Sequence, residues 1–309
     1  MLVRVLGAAA GGGFPQWNCS CCNCRRLRQG TFRGTARSQA QLAISADSEN
    51  WFLVNASPDL RYQIESSPSL HPRPTSFRHS PIQGVVLTSA ELDAALGLLL
   101  LRESQPLIFY TTETVRQLLT EDNNLFDVLR RLPGQVQWRT IVLGEPFELQ
   151  DTCGTATGIR CTAVSADGTF PGHVPQKRAR NLEEAGAVVG VFLQHGSQRI
   201  AFFPGAPRVA PGWLQEFENC DVIFFDGTFW SDDELVRTQG HGKTAREMGH
   251  LPVGGSGGAL EKFATLVRAR KIFVHINNTN PMLNEESPEY QQIRAAGWEL
   301  AFDGMELVL

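Results

Sequence analysis

The chain has 309 residues, 42% apolar and 19% charged, with a net charge of −4; that is the make-up of an ordinary globular protein of one large domain or two smaller ones. Lys and Arg are spread along it, which argues against a nucleic-acid surface, and no apolar run is long enough to span a bilayer. The N-terminus MLVRVLGAAAGGGFPQW has no basic region leading into a long apolar one, so no signal peptide is expected, and four of the seven cysteines crowd into residues 19–24, which reads as metal spacing in a reducing compartment.

In chain order, MLVRVLG predicts a strand that runs into the glycine turn AAAGGGFP. QAQLAISA and NWFLVNA are two strands joined by the polar turn DSEN, a hairpin, and NASPDLRYQIESS starts a short helix. GVVLTS reads as a strand, and SAELDAALGLLLLRES as a helix with apolar residues at helical spacing. PLIFYTTE is a strand and ETVRQLLTEDNNLFDVL a helix. VQWRTIVLGEPFELQ, IRCTAVSA, AVVGVFLQHGSQRIAFFPG and CDVIFFDGTF are further strands. Residues 166–186 are the least structured stretch, a loop that could cover a site. TAREMGH and GALEKFATLVRAR predict helices, KIFVHIN a buried strand, and the tail a helix (SPEYQQIRAAG) and then a strand (WELAFDGMELVL). This interleaving predicts a four-layer αββα sandwich, or a doubly wound sheet with extra hairpins.

Four places could carry chemistry. His275 ends the buried strand KIFVHIN, and the amides of Asn277, Asn278 and Asn280 beside it can hold a loop or a ligand by side-chain hydrogen bonds. A satisfied core histidine in an Asn-rich turn is the plainer reading. Cys19, Cys21 and Cys24 place three thiolates in one compact turn, a geometry that selects zinc; buried small residues or a redox pair are the alternatives. Cys22 is either a fourth ligand or a spare, and adjacent side chains diverge, which favours the spare. Glu91 and Asp93 lie where a strand gives way to a helix, although Ser89 with Glu91 can also be a plain helix start. Asp226 ends another apolar strand and His250 lies in a glycine turn. The two could form a proton relay in which the carboxylate orients the ring, or be a turn-forming Asp-Gly and a surface histidine.

The late Asp-Gly-Thr-Phe, the Gly-His turn and the hairpins resemble the metallo-β-lactamase fold. GAAAGGGFPQWNCSCCNC, TAREMGHLPVGGSGG, HINNTNPML and GWELAFDGMELVL resemble, more closely, the pyrroloquinoline quinone (PQQ) biosynthesis protein B family over essentially all 309 residues. The resemblance implies one metallo-β-lactamase-like domain over 1–309, with a cysteine-rich zinc loop at about 15–30, in a cytoplasmic bacterial protein. It implies two activities described for the family: iron-dependent, oxygen-using hydroxylation of the tyrosine ring in a peptide-derived, cross-linked Glu–Tyr precursor, or non-catalytic carriage of the finished quinone. Partners would be the small-molecule precursor or PQQ and other proteins of the pathway, and a homodimer is left open.

The chain also departs from the superfamily pattern. The superfamily's His-x-His-x-Asp-His motif corresponds to Ser89-Ala90-Glu91-Leu92-Asp93-Ala94, so only the aspartate survives, and Ala94 stands where some relatives carry a histidine. The later Gly-Asp ligand falls near Pro204-Gly205, where no ligand exists. Too few ligands remain for a dinuclear zinc hydrolase. One metal held by Asp93, His275 and Glu91 is the expectation, and carboxylates with one imidazole suit iron(II) or manganese(II) better than zinc. A similar cysteine-bound zinc in a related phosphodiesterase takes its fourth ligand three residues after the last active-site histidine, a position filled here by Asn278.

Overall fold

The computed structural model describes residues 1–74, 77–121 and 124–309. Fourteen strands run along the chain: β1 (Leu2–Gly7), β2 (Gln41–Ser45), β3 (Trp51–Val54), β4 (Ile82–Val86), β5 (Leu107–Thr111), β6 (Val136–Thr140), β7 (Phe147–Gln150), β8 (Ala156–Ser165), β9 (Val189–His195), β10 (Gln198–Phe203), β11 (Val222–Asp226), β12 (Arg270–Val274), β13 (Trp298–Leu300) and β14 (Glu306–Val308). They form two seven-stranded sheets, ordered β14-β1-β2-β3-β4-β5-β6 and β13-β12-β11-β10-β9-β8-β7. In each sheet the strands nearest the chain's hairpins pair antiparallel, and β3 to β6 and β10 to β13 pair parallel.

Period-two alternation decides which side chains go where. Val222 and Phe224 face the gap between the sheets with Val86, Ile108, Leu42 and Ile44 of the first sheet. Their neighbours Ile223 and Phe225 point to the outer side, where Phe217, Phe263, Phe273 and Trp298 pack with them. The stack of Phe273 on Trp298, centroids 3.9 Å apart, seals that layer. The outer face of the first sheet carries Leu53, Val85 and Phe109 against Leu60, Leu98, Val115 and Leu118 of the helices. Three buried apolar layers require four layers of structure, so the αββα sandwich holds and the doubly wound sheet does not. Each fully buried Phe or Leu contributes about 1.5–3 kcal/mol.

The helices are short: α1 (Cys22–Arg28), α2 (Leu60–Glu65), α3 (Leu92–Ala95), α4 (Glu113–Thr120), α5 (Gln176–Ala179), α6 (Trp213–Glu218), α7 (Glu234–Gln239), α8 (Ala259–Lys262) and α9 (Pro288–Ala295). Thr112 caps α4 by accepting from the Val115 N–H, and Ser287 caps α9 by accepting from Tyr290, with Pro288 in the first turn. Among the described residues, no helix is long and apolar enough to cross a membrane.

Several elements differ from the sequence reading. The helix expected over SAELDAALGLLLLRES is only α3, followed by a 3₁₀ stretch over Leu96–Leu101. Gly97 is the cause: its N–H donates to the Ala56 carbonyl at 2.8 Å, and a Cβ there would lie 2.2 Å from the Ser57 carbonyl oxygen. ETVRQLLTEDNNLFDVL is helical only as α4 and a 3₁₀ stretch over Asn124–Arg130, with 122 and 123 outside the described residues. VQWRTIVLGEPFELQ divides into β6 and β7 on different sheets, with Gly144 at φ +77° in the turn between. The tail likewise divides into β13 and β14, turning at Gly304 with φ +88°. TAREMGH holds one 3₁₀ turn, Arg246–Met248, stopped by Gly249 at φ +85°, and the helix of GALEKFATLVRAR ends at Lys262. Helices α1, α5, α6 and α7 were not anticipated, and α5 lies within the 166–186 stretch read as least structured.

Because Gly97 touches backbone rather than a movable side chain, Gly97→Ala should destabilise the protein by about 1–3 kcal/mol in urea unfolding. Gly172→Ala, where a Cβ meets nothing within 4 Å, should stay within about 0.5 kcal/mol of the parent. Equal effects would show that Gly97 is not under this constraint.

Candidate active site

A cavity of about 660 Å³ opens where the carboxyl ends of β4, β10, β11 and β12 meet the segment after β1. Its wall includes Ala10–Gly12, Thr88, Ser89, Glu91–Ala94, Pro204, Gly205, Thr228, His250, His275 and Asn277, and one side is formed by Gly168, Thr169, Gly172 and His173 of the 166–186 loop. Backbone bonds hold the two sheets together here. Ile276 donates to the Ala8 carbonyl and Ala10 to the Ile276 carbonyl, each at 2.9 Å, and Val189 donates to Thr88 at 2.8 Å. His275 itself lies in the left-handed region, with φ +58°, a conformation uncommon outside glycine that turns its ring into the cavity.

Asp93 and His275, 182 residues apart in sequence, meet with Oδ2 and Nε2 2.8 Å apart. Asp226 and His250 meet on the other side, Oδ2 to Nδ1 at 2.8 Å. The two imidazoles lie nearly parallel, centroids 5.3 Å apart. Between them sits Thr228, whose hydroxyl is 2.6 Å from Asp226 Oδ1, 2.8 Å from the His275 carbonyl, 2.8 Å from His275 Nδ1 and 3.1 Å from His250 Nδ1. A hydroxyl has one proton. Directed to Asp226 Oδ1, the shortest contact, it leaves the oxygen to accept the Nδ1–H of His275, which frees Nε2 for Asp93 or a metal. Sequence reading missed Thr228 because a threonine after Asp-Gly is ordinary turn chemistry.

Asp226 is fully buried, and both its oxygens are used: Oδ1 accepts from the Thr228 N–H and hydroxyl, Oδ2 from the Ala206 N–H and His250. Donor atoms of Asp226, His250 and His275 all lie within 4.8 Å of one another, but a carboxylate so saturated serves to orient a ring. Ala206, next to Pro204-Gly205, offers only its N–H, and Ala94 only a methyl group, so those two ligand positions of the superfamily carry no side-chain donor. Glu91 heads α3 without a side-chain cap bond, so its carboxylate is left to face the cavity.

Burial works to raise the pKa of Asp93, but the hydrogen bond and charge of His275 outweigh it and hold the carboxyl below its usual range. Burial works to lower that of His275, and the bond to Asp93, with Asp226 and Glu91 nearby, raises it instead. Burial, then the charge of Asp93, pushes Glu91 up. Asp93 and His275 therefore form a charge-assisted pair that a divalent metal can replace by displacing the His275 proton.

The cysteines form a second cluster. Cys19, Cys21 and Cys24 bring their sulfurs within 4.8 Å of one another, while Cys22 is exposed. Asn278 lies over them, its side-chain nitrogen 3.1 Å from Cys19 Sγ, 3.4 Å from Cys24 Sγ and 3.6 Å from Cys21 Sγ. Asn277 and Asn278, read together in the sequence as amides that could hold a loop or a ligand, are placed apart. Asn277 lines the cavity and Asn278 turns to the sulfurs, within a turn closed by the Asn280 N–H donating to the Asn277 carbonyl at 3.0 Å. Asn23 fastens the loop by donating to the carbonyls of Asn278 at 3.1 Å and Asn280 at 3.0 Å. Burial pushes the Cys21 thiol up to about 11, whereas at Cys19 the N–H of Cys21 and the neighbouring side chains outweigh burial and lower it.

The Asp93–His275 pair should leave a pH signature in the metal-free protein. A raised His275 pKa contributes stability that is present below about 6.5 and lost as pH rises through the folded value. A lowered Asp93 pKa contributes stability present above 3.8 and lost as pH falls through the folded value. Asp93→Asn should therefore cost about 1 kcal/mol near pH 5–6 and less near pH 9 in chelator-treated protein. A cost that does not vary with pH would contradict the pairing.

Comparison with known proteins accords with this geometry. Residues 50–276 match the Beta-lactamase superfamily domain. The chain is 43% identical over 306 residues to the Coenzyme PQQ synthesis protein B of Gluconacetobacter diazotrophicus, covering 98% of both, and 42% identical to that of Nitrosococcus oceani, covering 100% of both. It is also similar to the crystal structure of Zn(2+)-bound PqqB from Methylobacterium extorquens, with a TM-score of 0.91, 39% identity and 100% of each chain covered. The chain belongs to the coenzyme PQQ synthesis protein B family, in the β-lactamase superfamily.

Proposed function

We propose that the chain hydroxylates the tyrosine ring of the peptide-derived, cross-linked Glu–Tyr precursor in PQQ biosynthesis, at a single metal held by Asp93, His275 and Glu91. The observation that carries this reading is the meeting of Asp93 Oδ2 and His275 Nε2 at 2.8 Å, beside a separate, saturated Asp226–His250 pair. Two carboxylates and one imidazole suit iron(II), or manganese(II), better than zinc, and iron(II) held there supplies the dioxygen activation that ring hydroxylation needs. The residues do the rest. Thr228 fixes the His275 tautomer with Nε2 toward the cavity. Asp226 holds His250 by Nδ1, which leaves Nε2 to take a proton from a bound ligand or return one.

The carrier reading draws support from one feature. Asp93 and His275 satisfy each other directly, so the site is stable without a metal and could serve as a pocket for PQQ or an intermediate. Anaerobic iron(II) loading, followed by oxygen and the Glu–Tyr precursor, separates the two. His275→Ala should lose iron(II) affinity steeply. His250→Ala should keep the iron and slow turnover by roughly 10²–10⁴-fold. Stoichiometric binding without turnover in the parent protein would favour carriage.

Zinc belongs, in this reading, at Cys19, Cys21 and Cys24, with the Asn278 amide turned to offer Oδ1 as the fourth ligand. The Zn(2+)-bound PqqB from Methylobacterium extorquens supports a zinc protein of this kind, and reduced thiols fit a cytoplasmic setting. Cys21→Ala should lose the zinc, and Cys22→Ser should retain it in metal analysis. The reverse pattern would make Cys22 a ligand.

A further inference from the structure

Three side-chain amides line the cavity: Gln39, Asn55 and Asn277. Two of them commit their nitrogen to the protein. Gln39 Nε2 donates to Asp59 Oδ2 at 3.0 Å, while its Oε1 accepts from the Gly12 N–H at 3.0 Å. Asn277 Nδ2 donates to Thr279 Oγ1 at 2.6 Å.

Asn55 differs. It follows β3 in the left-handed region, with φ +68°, and is only 3% exposed. Its N–H donates to the Val86 carbonyl at 2.8 Å, which fixes the backbone. Its Oδ1 accepts from the Thr88 N–H at 2.9 Å and from the Thr88 hydroxyl at 3.0 Å. A backbone N–H can only donate, so the atom that meets Thr88 must be the amide oxygen. Nδ2 is thereby turned away from Thr88, and among the described residues it meets no acceptor.

A donor on so buried a side chain normally has a partner. Here the amide borders a space large enough for a ligand, and an entering group can supply the acceptor. A carboxylate is the best acceptor for it, because a charge-assisted hydrogen bond is roughly twice as strong as a neutral one. Glu91 and Asp93 do not exclude such a group once they hold a divalent ion, whose charge offsets theirs.

We propose that Asn55 is a specificity-determining residue whose Nδ2 donates to a carboxylate of the bound ligand. This rests on the precursor reading above and deepens it. PQQ, itself a polycarboxylate, is the other source of the same group.

The test is calorimetric binding, without oxygen, to the full chain carrying its zinc and iron(II), at about pH 8, where an introduced carboxylate is ionised. The ligands are the Glu–Tyr precursor, its forms methyl-esterified at one carboxylate at a time, and PQQ. The variant is Asn55→Asp. Aspartate tolerates the same backbone, and its oxygen still accepts from Thr88, but the second atom becomes a charged acceptor. Precursor binding should weaken by about 10- to 100-fold, with iron(II) content and melting temperature equal to the parent's. Esterifying the carboxylate that Asn55 meets should weaken binding to the parent and cause no further loss in Asn55→Asp, a coupling that a purely structural role would not produce. Unchanged affinity in Asn55→Asp, or the same loss in both proteins for every ester, would overturn the assignment and leave the hydroxylase reading intact. If Asn55→Asp does not fold, a crystal structure of the parent with the precursor decides. A carboxylate oxygen within about 3.2 Å of Nδ2 supports the assignment, and a water in that place overturns it. Binding of PQQ but not of the precursor, weakened by Asn55→Asp, would keep the carboxylate contact and overturn the hydroxylase reading.

Discussion

One hydroxyl organises the centre of this protein. Thr228 Oγ1 has one proton and four polar neighbours: Asp226, His250, and the ring and carbonyl of His275. Because that proton is given to Asp226, the hydroxyl must accept from His275, and the free nitrogen of that ring is the one that faces Asp93. The same arrangement saturates Asp226, so it orients His250 and is not available as a ligand. Threonine suits the position because its stiff χ1 keeps the oxygen between the two rings.

This hub works because two sheets are joined around it. The segment after β1 bonds to the segment after β12, and the end of β4 bonds to the start of β9. The loop after β12 then serves two neighbours in turn: His275 and Asn277 face the cavity, and Asn278 faces the cysteines. Only two residues, Ile276 and Asn277, separate the ring at the candidate iron site from the amide at the candidate zinc site. Ordering one by metal binding would therefore stiffen the other, since the carbonyls of Asn278 and Asn280 are held by Asn23 in the cysteine loop.

The sequence was most informative where a local pattern decides structure. The continuous apolar run Val222–Phe225 located β11, and the turn DSEN located the β2–β3 hairpin. It was least informative where a contact from far away decides. The helix after β4 read as continuous because nothing local shows Gly97 pressed against Ala56 and Ser57. The tail read as one strand because its two halves join different sheets. Asp93 and His275 could be paired only through the superfamily's topology. Asn278 was placed near the cysteines only by analogy with a related phosphodiesterase, and Thr228 carried no signal beyond a common turn. Glu91 was ambiguous between helix start and ligand in the sequence, and in the structure its N–H donates to Ser89 Oγ at 3.3 Å while its carboxylate makes no cap bond.

The central claim is that Asp93, His275 and their neighbours form a site for oxidative chemistry rather than a passive pocket. It is tested most directly by a single turnover of iron(II)-loaded protein with the Glu–Tyr precursor under isotopically heavy dioxygen, followed by mass analysis of the product. The account predicts heavy oxygen on the tyrosine ring, in an amount that tracks the iron bound. Recovery of unaltered precursor from iron-loaded protein that binds it stoichiometrically would contradict it.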